Sequence, residues 1–338
     1  MSDAAVLALV APESAGIAPE TVVLGLPMIR RTALAAGRAG FSRVVVVGAS
    51  PAAERALEGT GAELAPAAPP GATHLPWNVA VHPKDLKELL AGAAAVGVPI
   101  ARPAELARAE TFLLEGLIKD TEGFMSRHFD RKISLAVSRR LAGTRMTPNQ
   151  MTLVAVAIGL IGAPFFLSSR PGVQVIGGAL FLLHSILDGC DGELARLKFQ
   201  ESRWGGALDF WGDNLVHMAV FGAMGLGLAR STGRDWPLVC GATAVVATAA
   251  SAFFLYQRTM TGKKEGPLFT SVAVHGQTTI SRVADALSRR DFIYLVLIMS
   301  AFGIGDWFVV SSAIAVPAFF LALLAVAWND RRIARSAS

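Results

Sequence analysis

The chain has 338 residues, 53% of them hydrophobic, with a mean hydropathy of +0.48 and a formal net charge of +5. It has two cysteines, which excludes a disulfide framework and a zinc site built from cysteine pairs. Apolar runs of about 18 residues recur only after Thr147, so we predict a soluble first part and a membrane-embedded second part, whose basic loops face anionic lipid rather than nucleic acid.

Short apolar runs alternate with helical patterns in the first third of the chain. The predicted buried strands and helices are 6–12, 27–41, 43–49, 52–60, 77–82 and 83–97, strand and helix alternating in that order. Strands that alternate with helices indicate a Rossmann-like α/β fold with a parallel sheet, which we assign to residues 1–105. The first residues lack a basic stretch before their apolar segment, so we expect no secretory signal.

We expect residues 106–146 to form a linker that ends in a basic amphipathic helix over 123–143. Apolar residues recur at every fourth position of that helix, and most of its basic residues lie off the apolar stripe. The stripe consists of Met125, Phe129, Ile133, Val137 and Leu141. This pattern is typical of a helix that lies in the membrane interface, and a linker helix packed on the soluble domain is the alternative.

Residues 147–330 are predicted to form an all-α membrane domain of six spans. The spans are 148–168, 173–195, 205–229, 236–257, 291–307 and 309–328, each long enough to cross a hydrocarbon core of about 30 Å. Lysine and arginine are concentrated in the loops on one side, which the positive-inside rule assigns to the cytoplasm. We therefore expect a multi-pass protein of the inner or plasma membrane, with both termini, the basic tail 331–338 and the loop around Gln200 in the cytoplasm.

Four aspartates interrupt this apolar region: Asp188, Asp191, Asp209 and Asp213. The loop near Gln200 is short, so spans two and three are antiparallel neighbours and the aspartates lie at matching depths. Their spacing of three and four places each pair on one helix face. Carboxylates that converge repel one another, so the cluster requires one or two cations, and an all-oxygen ligand set selects Mg²⁺ or Mn²⁺.

Small and basic residues accompany the aspartates. Gly192 and Ala195 share the stripe of the first pair, and Gly205 precedes the second pair, so a ligand can approach the backbone closely. Basic residues nearby indicate a phosphate-bearing substrate. A cation-transport site is the alternative explanation of carboxylates within a membrane domain.

The pattern Asp188-x-x-Asp191-Gly192-x-x-Ala195-Arg196, followed by Gly205-x-x-x-Asp209-x-x-x-Asp213, resembles the signature of the CDP-alcohol phosphotransferases. "TPNQMT" at 147–152 looks like that family's opening of its first span. The resemblance implies a metal-dependent membrane transferase of phospholipid or polar phosphodiester synthesis. It would move a substituted phosphate group from a CDP-linked donor to an alcohol acceptor, with release of CMP. We also expect a homodimer formed through the membrane domain.

The resemblance also implies roles for individual residues. All four aspartates hold Mg²⁺ or Mn²⁺, and Asp213 is the general base that deprotonates the acceptor hydroxyl. The nucleotide-binding set is Asn149, Asp188, Gly192, Ala195, Arg196 and Gly205, although Asn149 can instead cap the first span together with Thr147. The acceptor-phosphate candidates, each of which can instead be a cytoplasmic loop charge, are Lys198, Arg203, Arg258, Lys263 and Lys264. His184 and His217 extend the aspartate stripes and either orient carboxylates or are core histidines.

The segment "LGLPMIRRTALAAGRAGFSRVVVVG" is similar to sugar-nucleotide nucleotidyltransferases. Those enzymes hold a triphosphate on a glycine-rich basic loop after the first strand, where this chain has no Lys or Arg before Arg30. We expect a non-catalytic cytidylyltransferase-like module; the alternative is a bifunctional enzyme that makes its own CDP-alcohol. CDP-diacylglycerol and soluble donors such as CDP-inositol both stay open. Asn214 stands where many inositol-phosphate-using relatives have a basic residue, which argues against that acceptor.

Overall fold

The computed structural model describes residues 5–13, 16–118, 125–260 and 292–336. The chain forms two compact units. The first consists of 1–119, 139–145 and 196–199, and the second of 120–138, 146–195 and 200–338.

The first unit has the predicted α/β character. Its strands are β1 (Val6–Val10), β2 (Val22–Val23), β3 (Leu26–Pro27), β4 (Arg43–Val47), β5 (Glu63–Ala65), β6 (Thr73–Pro76), β7 (Val79–Ala80) and β8 (Val98–Pro99). Four of them form a parallel sheet in the order β5-β4-β1-β6, while β2–β3 and β7–β8 are short antiparallel pairs.

Four helices accompany this sheet. They are α1 (Met28–Ala39), α2 (Pro51–Leu57), α3 (Pro83–Leu90) and α4 (Leu106–Glu115). Helix α1 ends at Gly40, whose φ of 106° is accessible to glycine without strain. Helix α2 begins at Ser50, whose side chain accepts a hydrogen bond from the Ala53 amide. The core consists of the apolar faces of β1 and β4 packed on α1, which explains why their apolar runs are continuous.

The third predicted strand is wrong in its position. The sequence predicts a strand over 77–82, but the chain pairs with β1 through Thr73–Pro76, and Val79–Ala80 pairs with β8 instead. Val10, the last residue of β1, lies opposite Pro76, so β1 has no further residues for a longer strand to pair with. Helix α3 also ends at Leu90, well before the predicted end at 97.

The second unit is helical in its described residues. A π-helical turn at Ser126–Asp130 leads into α5 (Arg131–Ala142), whose last residues belong to the first unit. The remaining helices are α6 (Pro148–Gly162, continued by a 3-10 segment Ala163–Leu167), α7 (Pro171–Lys198), α8 (Arg203–Thr232), α9 (Trp236–Met260), α10 (Phe292–Ala301) and α11 (Gly305–Ser336).

Four of these segments are long and apolar enough to cross a membrane, by length and composition: Pro148–Leu167, Pro171–Lys198, Trp236–Arg258 and Gly305–Arg332. A membrane-embedded part is therefore supported, but the six predicted spans are not confirmed. Helix α8, at the third predicted span, has sufficient length but carries Asp209 and Asp213. Helix α10, at the fifth, has 10 residues in the described part of the chain.

Helix α5 and the turn before it bury polar residues rather than the apolar stripe. Asp130, Ser134 and Ser138 are buried, whereas Phe129 and Ile133 are 54% and 48% exposed. An outward apolar stripe is what an interfacial helix requires. The assignment of 123–143 to the interface stays a prediction, and residues 123 and 124 lie outside the described part of the chain.

Two glycines allow α6 and α8 to pack closely. A Cβ at Gly159 on α6 would lie 2.5 Å from Val216 on α8, and a Cβ at Gly212 on α8 would lie 2.5 Å from Val156 on α6. Both distances are too short for a real contact, so only glycine fits these positions. Gly212 directly precedes Asp213, so this packing fixes the backbone that carries that carboxylate.

Candidate active site

The four aspartates lie on two neighbouring helices, as predicted. Asp188 and Asp191 are buried on α7, and Asp209 and Asp213 are half-buried on α8. Ser202 caps the start of α8 by accepting a hydrogen bond from the Gly205 amide at 3.0 Å. The connection between the two helices is short, which brings their adjoining ends together.

The aspartates form two sets that share Asp188. The first set is Asp188, Asp191 and Asp209, and the second is Asp188, Asp213 and His184. Within each set the ligand atoms all lie within 4.8 Å of one another. Oxygen atoms at these separations suit a hard divalent cation, so the residues present fit Mg²⁺ or Mn²⁺.

Thr152 of α6 contacts this cluster and was not assigned a role from the sequence. Its hydroxyl donates a hydrogen bond to Oδ2 of Asp191, and the side chain is buried. The only available signal was its place at the end of "TPNQMT", the segment that resembles the family's first span. The contact orients one metal-ligand candidate from a third helix.

Two histidines lie on either side of Asp213. Nε2 of His184 is 3.4 Å from Oδ1 of Asp213, and Nδ1 of His217 is 3.6 Å from Oδ2. His184 is fully buried, and its Nδ1 is 2.9 Å from the carbonyl oxygen of Ala155 on α6. Both histidines therefore approach the carboxylate of Asp213, and both are also buried.

Asn149 and Gly205, two predicted nucleotide-binding residues, lie against each other. A Cβ at Gly205 would be 2.7 Å from Oδ1 of Asn149, so glycine permits this approach. The cap of α6 is made by Thr147 and Gln150, each of which bonds the backbone of the other, so Asn149 is not needed there. Of the other predicted nucleotide-binding residues, Gly192, Ala195 and Arg196 are half-buried on α7.

A buried ion pair lies beside the signature residues and was also missed. Glu193 is fully buried, and its Oε1 is 2.5 Å from Nη1 of Arg131 and 2.7 Å from the hydroxyl of Ser134. Glu193 directly follows Gly192, so the pair anchors the aspartate-bearing helix α7 to α5. No pattern links residues so far apart in the sequence, so their pairing could not have been inferred.

Two of the predicted acceptor-phosphate residues have partners within the described part of the chain. Arg258 of α9 forms an ion pair with Asp330 of α11, and Nζ of Lys198 donates to the carbonyl of Thr144 at 2.8 Å. Arg203 is exposed at the start of α8. Lys263 and Lys264 lie outside the described residues. Their role in binding an acceptor stays a prediction.

Comparison with known proteins identifies the class that this geometry indicates. Residues 145–281 match the family model of the CDP-alcohol phosphatidyltransferases. The match contains all four aspartates and confirms the resemblance inferred from their spacing.

Individual relatives agree with this class. The chain is 45% identical over 108 residues to the bifunctional IPC transferase and DIPP synthase of Thermococcus kodakarensis, covering 32% of this chain and 24% of the relative. It is 33% identical over 214 residues to the protein of the same name from Rubrobacter xylanophilus, covering 59% of this chain and 44% of the relative. The chain thus spans less than half the length of these relatives.

A solved structure is also similar. It is the phosphatidylinositol phosphate synthase of Mycobacterium tuberculosis with CDP-DAG bound, at 18% identity and a TM-score of 0.41. The alignment covers 58% of this chain and 94% of that one.

Proposed function

We propose that the chain is an integral membrane transferase that moves a substituted phosphate group from a CDP-linked donor to an alcohol and releases CMP. The observation that carries this proposal is the convergence of four carboxylates from α7 and α8, with three-residue ligand sets within 4.8 Å. Like charges at such distances are unfavourable unless a cation joins them, and a nucleotide pyrophosphate is a natural partner of such a cation.

The aspartates have two roles in the proposed reaction, cation binding and proton transfer. Asp188, Asp191 and Asp209 would hold Mg²⁺ or Mn²⁺, and Asp213 would also contact a cation. A bound divalent cation neutralises the charge that develops on the pyrophosphate oxygens and acidifies a nearby hydroxyl. Asp213 accepts the proton of the acceptor hydroxyl, and its flanking histidines keep its carboxylate oriented for that transfer.

The nucleotide is placed by small residues and by Asn149. Gly192, Ala195 and Gly205 leave room for the cytidine and its phosphates to approach the helix backbone. Arg196 follows them on α7 and supplies positive charge to the donor phosphates. The donor can be CDP-diacylglycerol or a soluble CDP-alcohol, since these residues recognise the part that both share.

The site would open to the cytoplasm. Basic residues predominate in the loops on the side that carries the aspartates, as the positive-inside rule requires for a cytoplasmic face. A polar CDP group then enters from water, while an acyl chain stays in the bilayer. Two outward apolar residues, Phe129 in the turn before α5 and Ile133 on α5, support a helix that lies in the interface beside this entrance. We place this protein in the inner or plasma membrane as a homodimer.

The first unit acts as a non-catalytic module in this proposal. The described residues before Arg30 include no Lys or Arg after β1, where a triphosphate-binding loop needs them. Arg30 itself donates to the carbonyls of Ala56 and Glu58, and Arg31 is buried among backbone carbonyls. The two arginines nearest the missing loop are therefore committed to structure.

A bifunctional enzyme is the second candidate, favoured by the comparisons. The relatives from Thermococcus and Rubrobacter are named as bifunctional proteins, and the Rubrobacter match covers 214 residues. In this alternative the first unit would make the CDP-alcohol that the second unit consumes. The full-length protein would then release pyrophosphate from CTP when a phosphorylated alcohol is supplied.

The test is CMP release by purified full-length protein given CDP-diacylglycerol or soluble CDP-alcohols, each with a panel of acceptor alcohols. Turnover should cease in EDTA and return with Mg²⁺ or Mn²⁺. Asp209→Asn should abolish it, whereas Asp235→Asn, at an exposed position before α9, should not. Full turnover by metal-free protein would refute the proposal, and cation flux in liposomes without any CDP-alcohol would favour a transporter.

A further inference from the structure

His184 lies in an environment that the carboxylates alone do not explain. Its ring is fully buried at the level of Asp188 and Asp213, and it belongs with both in the second ligand set. Nε2 points at this set, 3.4 Å from Oδ1 of Asp213. Within the described residues, Nε2 has no hydrogen-bond partner.

The other ring nitrogen fixes the proton. Nδ1 of His184 is 2.9 Å from the carbonyl oxygen of Ala155, which can only accept a hydrogen bond. Nδ1 must therefore donate, and in the neutral ring Nε2 carries a lone pair. A hydrogen bond from one ring nitrogen to a backbone carbonyl commonly orients a histidine that binds a metal through its other ring nitrogen.

A lone pair on Nε2 that faces a carboxylate oxygen in a buried site is unfavourable, because two acceptors then oppose each other. Either a proton on Nε2 or a metal cation between the two atoms would relieve this opposition. Asp188 supplies a further oxygen to the same position, so the three side chains present one nitrogen and two carboxylates. The adjacent set of Asp188, Asp191 and Asp209 presents oxygen only.

We propose that His184 is a direct ligand of a second divalent cation, held with Asp188 and Asp213 beside the cation of the all-carboxylate set. This inference rests on the proposed metal-dependent function and adds a nitrogen ligand to it. An imidazole nitrogen is a softer ligand than oxygen, so this position disfavours Mg²⁺ relative to a transition-metal ion such as Mn²⁺. Asp188, which is common to both sets, would bridge the two cations.

The test uses Mn²⁺ alone, without nucleotide, on metal-stripped full-length protein. Titration followed by the EPR signal of free Mn²⁺ should give two bound ions per chain. Pulsed EPR of the bound Mn²⁺ should show a ¹⁴N coupling that changes when the protein is produced with ¹⁵N-histidine. This measurement on the unsubstituted protein does not depend on how any variant folds.

Two matched variants assign the coupling. His184→Gln should lose it and weaken Mn²⁺ binding at one position by at least about tenfold, with a smaller change for Mg²⁺. His217→Gln, which alters the other imidazole near Asp213, should keep the coupling and both Mn²⁺ ions. A role limited to orienting Asp213 would instead weaken Mn²⁺ and Mg²⁺ equally, and that result would overturn the inference.

The remaining outcomes separate this inference from the proposed function. Bound Mn²⁺ without a histidine nitrogen coupling, or a coupling that persists in His184→Gln, would overturn the inference and leave the carboxylate site intact. If the unsubstituted protein bound no Mn²⁺ at all, the proposed metal-dependent transferase would fail together with it.

Discussion

The two units of the chain bury charged side chains in different ways. In the first, Arg31 is only 3% exposed, and its guanidinium donates to the carbonyl oxygens of Val23, Leu24 and Leu197. Burial lowers the pKa of this guanidinium to about 10. The guanidinium thus joins backbone carbonyls from separate parts of the unit, so the role of Arg31 is structural.

In the second unit the buried charges are negative and are of two kinds. Glu193 is paired with Arg131 and serves structure, as Arg31 does. The four aspartates are instead gathered into sets of like charge. Burial of a charge is thus no sign of function by itself. Burial of like charges side by side is such a sign, because folding alone gains nothing from their repulsion.

The largest expected effect comes from breaking the Arg131–Glu193 ion pair in the second unit. Arg131→Ala leaves the carboxylate of Glu193 buried without its cation, which should lower the free energy of unfolding by about 3–5 kcal/mol. Denaturation in detergent measures this change. Arg139→Ala is the control, because Arg139 forms a more exposed pair with Glu110 and its loss should cost about 0–1 kcal/mol. Equal effects of the two substitutions would contradict the structural role.

The next effect separates function from structure within the aspartate sets. Asp213→Asn keeps the side-chain shape but removes the base, so kcat should fall by about 10²-fold or more while donor binding largely survives. The free energy of unfolding should not fall, because one of several like charges is removed. Steady-state kinetics and donor-binding measurements check both parts. A normal kcat with weakened donor binding would assign Asp213 to substrate binding instead.

The third effect concerns the buried Arg31 of the first unit. Arg31→Met leaves three buried carbonyl oxygens without their donor, and we expect a loss of about 2–3 kcal/mol in the free energy of unfolding. Arg31→Lys should restore part of it, because an ammonium retains the charge and some of the donors. Thermal denaturation measures the loss, and Arg55→Met, an exposed change on α2, is the control. Equal stability of the two Met variants would contradict the structural role of Arg31.

The smallest effect is a pH dependence of the stability of the first unit. Burial lowers the pKa of His82, although its ring nitrogen lies 3.1 Å from the Phe112 carbonyl. The unfolded state therefore binds a proton first as pH falls through about 6.5, so the unit loses stability below that pH until the folded pKa is reached. Hydrogen exchange in α3 and α4, corrected for intrinsic rates, should be faster at pH 5.5 than at pH 7.5. His82→Gln should flatten this slope, and an unchanged slope would assign the effect to another group.

Much of the aspartate site could be predicted because its geometry is local. A short loop between two helices and spacings of three and four residues determine which carboxylates meet, whatever the rest of the chain does. Thr152, Arg131 and the contact of His184 with Ala155 could not be predicted, since each depends on how a third helix packs. The pairing of Arg258 with Asp330 joins residues 72 positions apart and is beyond any local pattern.

The fold, too, could be predicted only where a local sequence pattern determines it. Continuous apolar runs identified β1 and β4 because both faces of a central parallel strand are buried. The run at 77–82 is equally apolar, yet buried residues there lie outside the main sheet, because β1 ends at Val10. Burial alone therefore did not distinguish a strand from a buried connection. The six predicted spans likewise looked alike in the sequence, but only four are candidate spans among the described helices: α10 is short, and α8, although long, carries Asp209 and Asp213.

The pairing of Glu193 with α5 has a consequence for how the protein should be handled. The turn before α5 and α5 itself expose Phe129 and Ile133, and α5 binds the aspartate-bearing helix α7 through Arg131 and Ser134. Lateral pressure at a bilayer surface would therefore act on a segment that is ion-paired to the helix carrying the candidate metal ligands. A detergent micelle has a different pressure profile from a lipid nanodisc. We thus expect cation affinities measured in the two to differ, and values from nanodiscs to be the ones that describe the chain in a lipid bilayer.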